Sequence, residues 1–89
     1  MKNKNYTFFK SREWEFEVKS DFSLVNHTSY CTCKGDSSIN AICTINNDIV
    51  KVRFPTASTN VKKGLYKYDV EVYNSGINTT IQKGEILVI

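Results

Sequence analysis

The chain has 89 residues, of which 40% are hydrophobic and 24% are charged, and its net charge is +3 at pH 7. This length suits one domain with one modest core, and the composition excludes a disordered or low-complexity chain. The weak, spread positive charge differs from the clustered basic stripe that binds phosphates, so no nucleic-acid partner is expected. Lys2, Lys4 and Lys10 are the best candidates for a weak contact with a polyanion.

The start of the chain is basic but lacks the apolar run of a secretory signal. No segment approaches the ~20 apolar residues of a membrane span. We therefore expect synthesis in the cytoplasm and no membrane partner. The three cysteines are an odd number, whereas secreted disulfide scaffolds use an even set, which indicates free thiols in a reducing compartment.

Alternation of apolar and polar residues predicts short strands along most of the chain, because successive side chains of a strand point to opposite sides. A short opening strand at 6–9 is followed by a strand at 13–19 that alternates without error. Its inward side chains are expected to be Trp14, Phe16 and Val18. Further strands are predicted at 30–34, 39–45, 49–54, 64–72, 77–81 and 85–89.

Two of the intervening segments have the polar composition of connections. Residues 20–29 are predicted to form a connection that is held to the core by its apolar side chains Phe22, Leu24 and Val25. Residues 35–38 have turn chemistry, and we expect them to join the strands on either side into a hairpin.

The remaining connections favour an all-β architecture. Polar turns are predicted at 46–48 and 74–76, and residues 56–63 are expected to form one helical turn that crosses between sheets above Val61. No amphipathic segment of ten residues predicts a longer helix. Six to eight short strands joined by polar turns indicate a sandwich or a barrel. We expect a small immunoglobulin-like antiparallel β-sandwich, formed as a single domain by residues 1–89.

The strand at 64–72 has the pattern of a half-buried strand. Its inward face is expected to consist of Tyr66, Tyr68, Val70 and Val72. Its outward face is expected to consist of Lys67, Asp69, Glu71 and Tyr73. Exposed tyrosines are enriched at interfaces, so the candidate interface residues are Tyr73, Lys67 and Glu71, while Asp69 is expected to have a local role.

One histidine and three cysteines have the composition of a zinc site but not its spacing. A structural zinc site places two cysteines on a turn with two to four residues between them, whereas Cys31 and Cys33 alternate within a strand. A hairpin would bring Cys43 opposite Cys31. We interpret the thiols as small core residues and His27 as a turn residue, and expect no metal or cofactor. A zinc site and a redox or disulfide role remain alternatives.

No set of residues has the pattern of a catalytic site. A cysteine nucleophile needs a histidine base and an orienting group, and the chain has one histidine. Glu13, Glu15 and Glu17 alternate outward along one strand, and we expect them to pair with basic residues across the sheet. The chain is therefore expected to be non-enzymatic, with no catalytic residue.

The segment Gly64-x-Tyr66-x-Tyr68 has the spacing of the immunoglobulin tyrosine corner, with Tyr68 in place of the second cysteine. Trp14 comes too early in the chain to be the tryptophan of a true immunoglobulin domain. The match therefore supports the sandwich architecture alone.

A longer series of motifs resembles a class of small bacteriophage virion domains, which includes the N-terminal domain of upper baseplate proteins and related tail or capsid accessory proteins. The motifs are Trp14-x-Phe16-x-Val18, a connection containing Leu24, a strand at Tyr30, a hairpin at Ile39, Val50-x-Val52-x-Phe54, Gly64-x-Tyr66-x-Tyr68-Asp69-Val70 and Gly84-x-Ile86-x-Val88. The strand that contains Cys31 and Cys33 departs from the class, which carries longer aliphatic residues there.

The resemblance implies assembly rather than catalysis. It implies a connector, decoration or tail or baseplate attachment subunit in a virion, bound to other virion structural proteins in a symmetric multi-copy assembly. Because the closing strand ends at Ile89, we expect no separate receptor-binding module. The alternative is a stand-alone module that binds a glycan or a host protein through Tyr73 and its neighbours.

Overall fold

The computed structural model describes residues 1–89 and contains eight strands in two sheets. The strands are β1 (Lys2–Asn3), β2 (Tyr6–Phe8), β3 (Trp14–Lys19), β4 (Thr28–Lys34), β5 (Ile42–Asn46), β6 (Ile49–Phe54), β7 (Gly64–Asn74) and β8 (Ile77–Val88). One 3-10 turn, Thr56–Ser58, lies between β6 and β7. It connects strands of different sheets, which confirms the predicted crossing.

The large sheet contains β1 and β2 along one side of β8, followed by β7 and β4, and the small sheet has the order β3–β6–β5. The pairs are antiparallel except that β1 and β2 run parallel to β8. The expected β-sandwich is therefore confirmed, with a parallel first edge that the sequence pattern did not predict.

The core lies between the two sheets and is built from the inward faces of β3, β6, β7 and β8. Sixteen hydrophobic residues are buried in one cluster, and Trp14, Phe54 and Tyr66 are the largest that are almost fully enclosed. The inward faces predicted for 13–19 and 64–72 are buried, which confirms the alternation, and the alternate residues Val50, Val52 and Phe54 of β6 are buried as well. Tyr6 closes the core by stacking on Phe16, with the ring centroids 4.4 Å apart.

The connection between β3 and β4 is held to the core by one residue rather than three. Leu24 is buried, and its amide donates a hydrogen bond to Oδ1 of Asp48 at 3.2 Å. Phe22 and Val25 are 41% and 70% exposed, so the prediction that they contact the core is wrong. Because this loop approaches the β5–β6 turn with Leu24 inward, its apolar neighbours remain at the surface.

The predicted hairpin between the strands on either side of 35–38 is also wrong. β4 pairs with β7 and β5 pairs with β6, so residues 35–41 cross from the large sheet to the small sheet. Ile39 anchors this crossing because its side chain is buried and its amide donates to the carbonyl of Cys33 at 2.9 Å. The predicted strands at 77–81 and 85–89 are one continuous strand, β8, with a bulge opposite Val70 and Glu71.

The predicted turns at 46–48 and 74–76 are confirmed. Asn47 and Ser75 have positive φ values of 56° and 52°, and Gly76 has a φ of 80°. Consecutive positive φ values, as at Ser75 and Gly76, are typical of tight two-residue hairpin turns. The turn at 74–76 fixes the register between β7 and β8, which carry most of the outer surface of the large sheet.

Candidate functional site

The outward side chains of β4, β7 and β8 form one continuous surface, which we call the large-sheet face. The strand register arranges these side chains in rows that run across the three strands. One row is Tyr30, Glu71 and Thr80, and another is Thr32, Asp69 and Lys83. The complete face consists of Thr28, Tyr30, Thr32, Lys34, Leu65, Lys67, Asp69, Glu71, Tyr73, Asn78, Thr80, Lys83, Glu85 and Leu87.

All three candidate interface residues lie on the large-sheet face. Tyr73 is 42% exposed, Lys67 is exposed, and Glu71 is half-buried between its neighbours. Their outward orientation is confirmed, and their contact with a partner stays a prediction. Tyr30 lies diagonally across from Tyr73 on β4 and is 41% exposed, which gives this end of the face two tyrosines.

The charged side chains of the large-sheet face are not paired with one another, although carboxylates and lysines lie side by side in its rows. The face carries three lysines and three carboxylates, and the chain's two ion pairs both lie on the small sheet. There, Glu13 contacts Arg53 at 2.8 Å and Glu15 contacts Lys51 at 3.3 Å. The predicted pairing of the outward glutamates is thus confirmed for two of them.

Asp69 lies at the middle of the large-sheet face, in a shallow depression of about 460 Å³ that Lys34, Lys67 and Lys83 help to line. Its Oδ1 atom is buried and has no hydrogen-bond partner. Burial raises the pKa of this carboxyl, the charge of Glu71 raises it further, and Lys83 lowers it. A buried acceptor without a donor is unfavourable in the charged form.

Replacing Asp69 by asparagine is expected to stabilise the domain at neutral pH. Because the folded-state pKa of Asp69 is raised, the charged carboxyl opposes folding above that pKa, and the penalty disappears as the pH falls below the unfolded value near 3.9. Thermal unfolding of dilute protein should therefore show a higher midpoint for Asp69→Asn at pH 7 and a smaller difference under acid conditions. An equal shift at both pH values would contradict this cause.

Four large apolar side chains form what we call the apolar corner, at the opposite end of the face from Tyr73. Leu65 and Leu87 are direct cross-strand neighbours and are 55% and 41% exposed. The amide of Ile89 donates to the carbonyl of Phe8 and the amide of Lys10 to that of Ile89, which sets Phe9 beside Ile89. Phe9 and Ile89 are 63% and 43% exposed.

Sequence reasoning missed the apolar corner, although the alternation of its strands contains the signal. Tyr66, Ile86 and Val88 are buried, so the residues next to them in sequence must point outward. When this rule is applied to β7 and to the end of the chain, it identifies Leu65, Leu87 and Ile89 as exposed apolar residues.

No family model and no curated protein matches this chain. Among solved structures, it is similar to an endo-fucoidan hydrolase of glycoside hydrolase family 107, with a TM-score of 0.62 and 15% identity over 100% of this chain and 13% of the hydrolase. It is also similar to the M1 domain from titin, with a TM-score of 0.51 and 10% identity over 98% of this chain and 90% of that domain.

The chain is an immunoglobulin-like β-sandwich. The titin domain covers almost the whole sandwich, and at these identities the likenesses concern the fold alone. A local feature also indicates the immunoglobulin-like fold. Tyr66, near the start of β7, donates its hydroxyl to the carbonyl of Lys62 at 2.6 Å. This backbone contact a few residues upstream is the geometry of a tyrosine corner, and it matches the spacing seen in the sequence.

The three cysteines of this immunoglobulin-like domain are free thiols at the β4 side of the core. Cys33 is buried, and Cys31 and Cys43 pack against the core from different sheets. Burial raises the pKa of all three thiols, to about 12 for Cys33, and the nearby Cys43 and Cys33 raise that of Cys31 further. Such thiols remain protonated at neutral pH, which makes them poor nucleophiles and poor metal ligands.

His27 lies in the loop before β4, away from any cluster of ligands. Its Nδ1 atom is 2.9 Å from the carbonyl oxygen of Val25, and its ring lies against Phe22. No group of three His, Cys, Asp or Glu side chains converges to hold a metal ion. The chain also contains no helix with the length and apolarity that crossing a membrane requires.

Proposed function

We propose that this domain is a non-enzymatic assembly module, and specifically a structural protein of a bacteriophage virion that acts as a connector, decoration or tail or baseplate attachment subunit. Its partners are other virion structural proteins, arranged in a symmetric multi-copy assembly. The motif series from Trp14 to Val88 supports the virion assignment by resemblance, and the apolar corner supports assembly by its chemistry.

The apolar corner is the observation that carries the proposal. An exposed cluster of large apolar side chains on a small domain marks a surface that another molecule covers. Complete burial of one such side chain contributes about 1.5–3 kcal/mol. Phe9, Leu65, Leu87 and Ile89 together are therefore sufficient to form the centre of a protein interface, which draws most of its affinity from a few well-buried anchors.

The presence of the chain in purified particles tests the virion role. We expect mass spectrometry of virions from the phage that encodes it to detect the chain at a stoichiometric level. Virions produced with Leu87→Lys should contain at least about tenfold less, because a lysine in the corner would be desolvated by the partner. Absence of the wild-type chain from the particles would refute the virion role.

Ile42→Lys is the matched control for Leu87→Lys. Ile42 is 47% exposed on the outer face of the small sheet, so the substitution makes the same chemical change at similar exposure. We expect Ile42→Lys to be incorporated like the wild type. Equal loss of both variants would indicate a general effect of the added charge and would remove the apolar corner from the proposal.

A second candidate function is binding of a glycan or a host protein through the tyrosine end of the large-sheet face. Tyr30 and Tyr73 are exposed on adjacent strands, and the hydroxyl of Tyr30 donates to Oδ1 of Asn78 at 2.7 Å. Two neighbouring aromatic rings with polar groups at their edges are suited to stacking against a sugar. Binding of the isolated monomer on a glycan array, lost in Tyr73→Ala, would favour this function over assembly.

A further inference from the structure

The outward residues of β7 form a pattern that is complementary to its own reverse. In chain order they are Leu65, Lys67, Asp69, Glu71 and Tyr73, which gives apolar, positive, negative, negative, apolar. A copy of the strand running in the opposite direction and centred on Asp69 presents Tyr73 to Leu65 and Glu71 to Lys67. Each favourable contact then occurs twice, as a twofold axis requires.

We propose that the large-sheet face binds a second copy of this chain, face to face with β7 strands antiparallel, about a twofold axis that passes near Asp69. The proposal rests on the assembly role proposed above and adds a partner, a second copy of the chain, for the large-sheet face. In this arrangement Lys67 of each copy lies against Glu71 of the other, and Leu65 of each copy lies against Tyr73 of the other.

The charged residues of this face balance one another. Its three lysines and three carboxylates give it no net charge, so two copies that meet through it bring no excess of like charge together. Glu71 and Lys67 also have no ion-pair partner within their own chain, unlike Glu13 and Glu15 of the small sheet.

The dimensions of the face limit the expected affinity. Five alternating residues along β7 span about 27 Å, and three strands cover about 15 Å with their side chains. Two such twisted sheets pack with interdigitating side chains and with their strand directions about 30° apart. A face of this size, about 400 Å² per copy, falls in the range of weak, transient interfaces, so we expect a dissociation constant no tighter than the order of micromolar.

The axis brings the two Asp69 carboxylates together, and this is the one unfavourable contact of the β7 pattern. Lys83 lies beside Asp69 in the strand register of each copy, so the same axis places the two Lys83 ammonium groups opposite each other and next to the two carboxylates. The apolar contacts between Leu65 and Tyr73 lie at both ends of the face, outside this charged centre. The central repulsion weakens the dimer without changing its register.

Charge reversal tests the antiparallel register directly. Sedimentation over about two decades of concentration around the micromolar range should show dimerisation of the wild type. Lys67→Glu and Glu71→Lys should each weaken the dimer at least about tenfold, because the axis makes two like-charge contacts from one substitution. The double variant should restore dimerisation, since each new glutamate then meets a new lysine of the other copy.

Lys62→Glu and Glu17→Lys are the matched controls, because both residues are exposed off the large-sheet face and change the net charge equally. They should dimerise like the wild type. A wild type that stays monomeric, single reversals without effect, or a double variant no better than the singles would each overturn the proposal. If the wild type is monomeric but present in virions, only the proposed dimer is refuted. If it dimerises but is absent from the particles, only the virion role is refuted.

Discussion

Replacing Tyr66 by alanine is expected to unfold the domain. Tyr66 is 1% exposed at the centre of the core, and its hydroxyl donates to the carbonyl of Lys62 at 2.6 Å. Truncating a buried aromatic side chain to alanine costs about 3–5 kcal/mol. Domains of this size have a total stability near the lower end of about 5–15 kcal/mol, so this single change removes most or all of it.

Circular dichroism and thermal unfolding measure this effect, and two controls separate its causes. Tyr66→Phe keeps the ring and loses the hydrogen bond to Lys62, which should cost about 0.5–1.5 kcal/mol. Tyr73→Ala changes the same residue type in the same strand but on the exposed side, and should alter stability by less than about 0.5 kcal/mol. A folded Tyr66→Ala with a midpoint close to that of Tyr73→Ala would contradict the assignment of Tyr66 to the core.

Alternation along a strand was sufficient to predict which side of β7 is buried. A slip of one residue would expose Tyr66 and Tyr68 and bury Lys67 and Asp69, which no folded arrangement tolerates. The same reasoning worked for β3, where Trp14 and its alternating neighbours are buried. The pattern within one strand therefore determined its orientation without any knowledge of its partners.

The partners of β4 and β5 could not be predicted in this way, because a short polar connection is compatible with either a hairpin or a crossing between sheets. The crossing depends on a contact distant in sequence. A Cβ at Gly35 would lie 2.6 Å from Cδ2 of Tyr66 and 2.9 Å from the carbonyl oxygen of Leu65. Gly35 is thus a site of close approach to β7, rather than only a residue of a turn, and local patterns carry no sign of that approach.

For the same physical reason, the sequence predicted only part of the candidate site. Tyr73, Lys67 and Glu71 share one strand, so alternation placed them on one face. The apolar corner joins β2, β7 and β8, and only the sheet register brings Phe9 to Ile89 and Leu65 to Leu87. A surface assembled from three strands needs the pairing of those strands, which depends on the whole fold.

The edge of the large sheet depends on the absence of a side chain at Gly84. β1 and β2 both run along β8, and the chain between them bends toward β8 at Lys4. The hydroxyl of Tyr68 donates to the carbonyl of Lys4 at 2.7 Å and accepts a hydrogen bond from the buried Gln82 at 2.9 Å. Burial raises the pKa of Tyr68 to about 12, so its hydroxyl remains a neutral donor at ordinary pH.

A Cβ added at Gly84 would overlap the carbonyl oxygen of Lys4 and lie 2.7 Å from its carbonyl carbon. Both atoms belong to the backbone, so a rotamer change offers no relief, and Gly84→Ala should displace the edge. We expect a loss of about 2–4 kcal/mol, from overpacking and from the hydrogen bond that Tyr68 can no longer donate. Urea unfolding measures the loss, with Glu85→Ala, one residue along and pointing outward, as the control.

Hydrogen exchange would show where the structure of Gly84→Ala opens. The same region includes part of the surface proposed for assembly. The amide of Lys4 donates to the carbonyl of Lys83 at 3.0 Å, so it should lose protection in Gly84→Ala before the amides of β7 do. Phe9 follows β2 and belongs to the apolar corner, so detachment of this edge should also reduce incorporation into particles. Unchanged stability with a protected Lys4 amide would show that the edge tolerates a side chain at position 84.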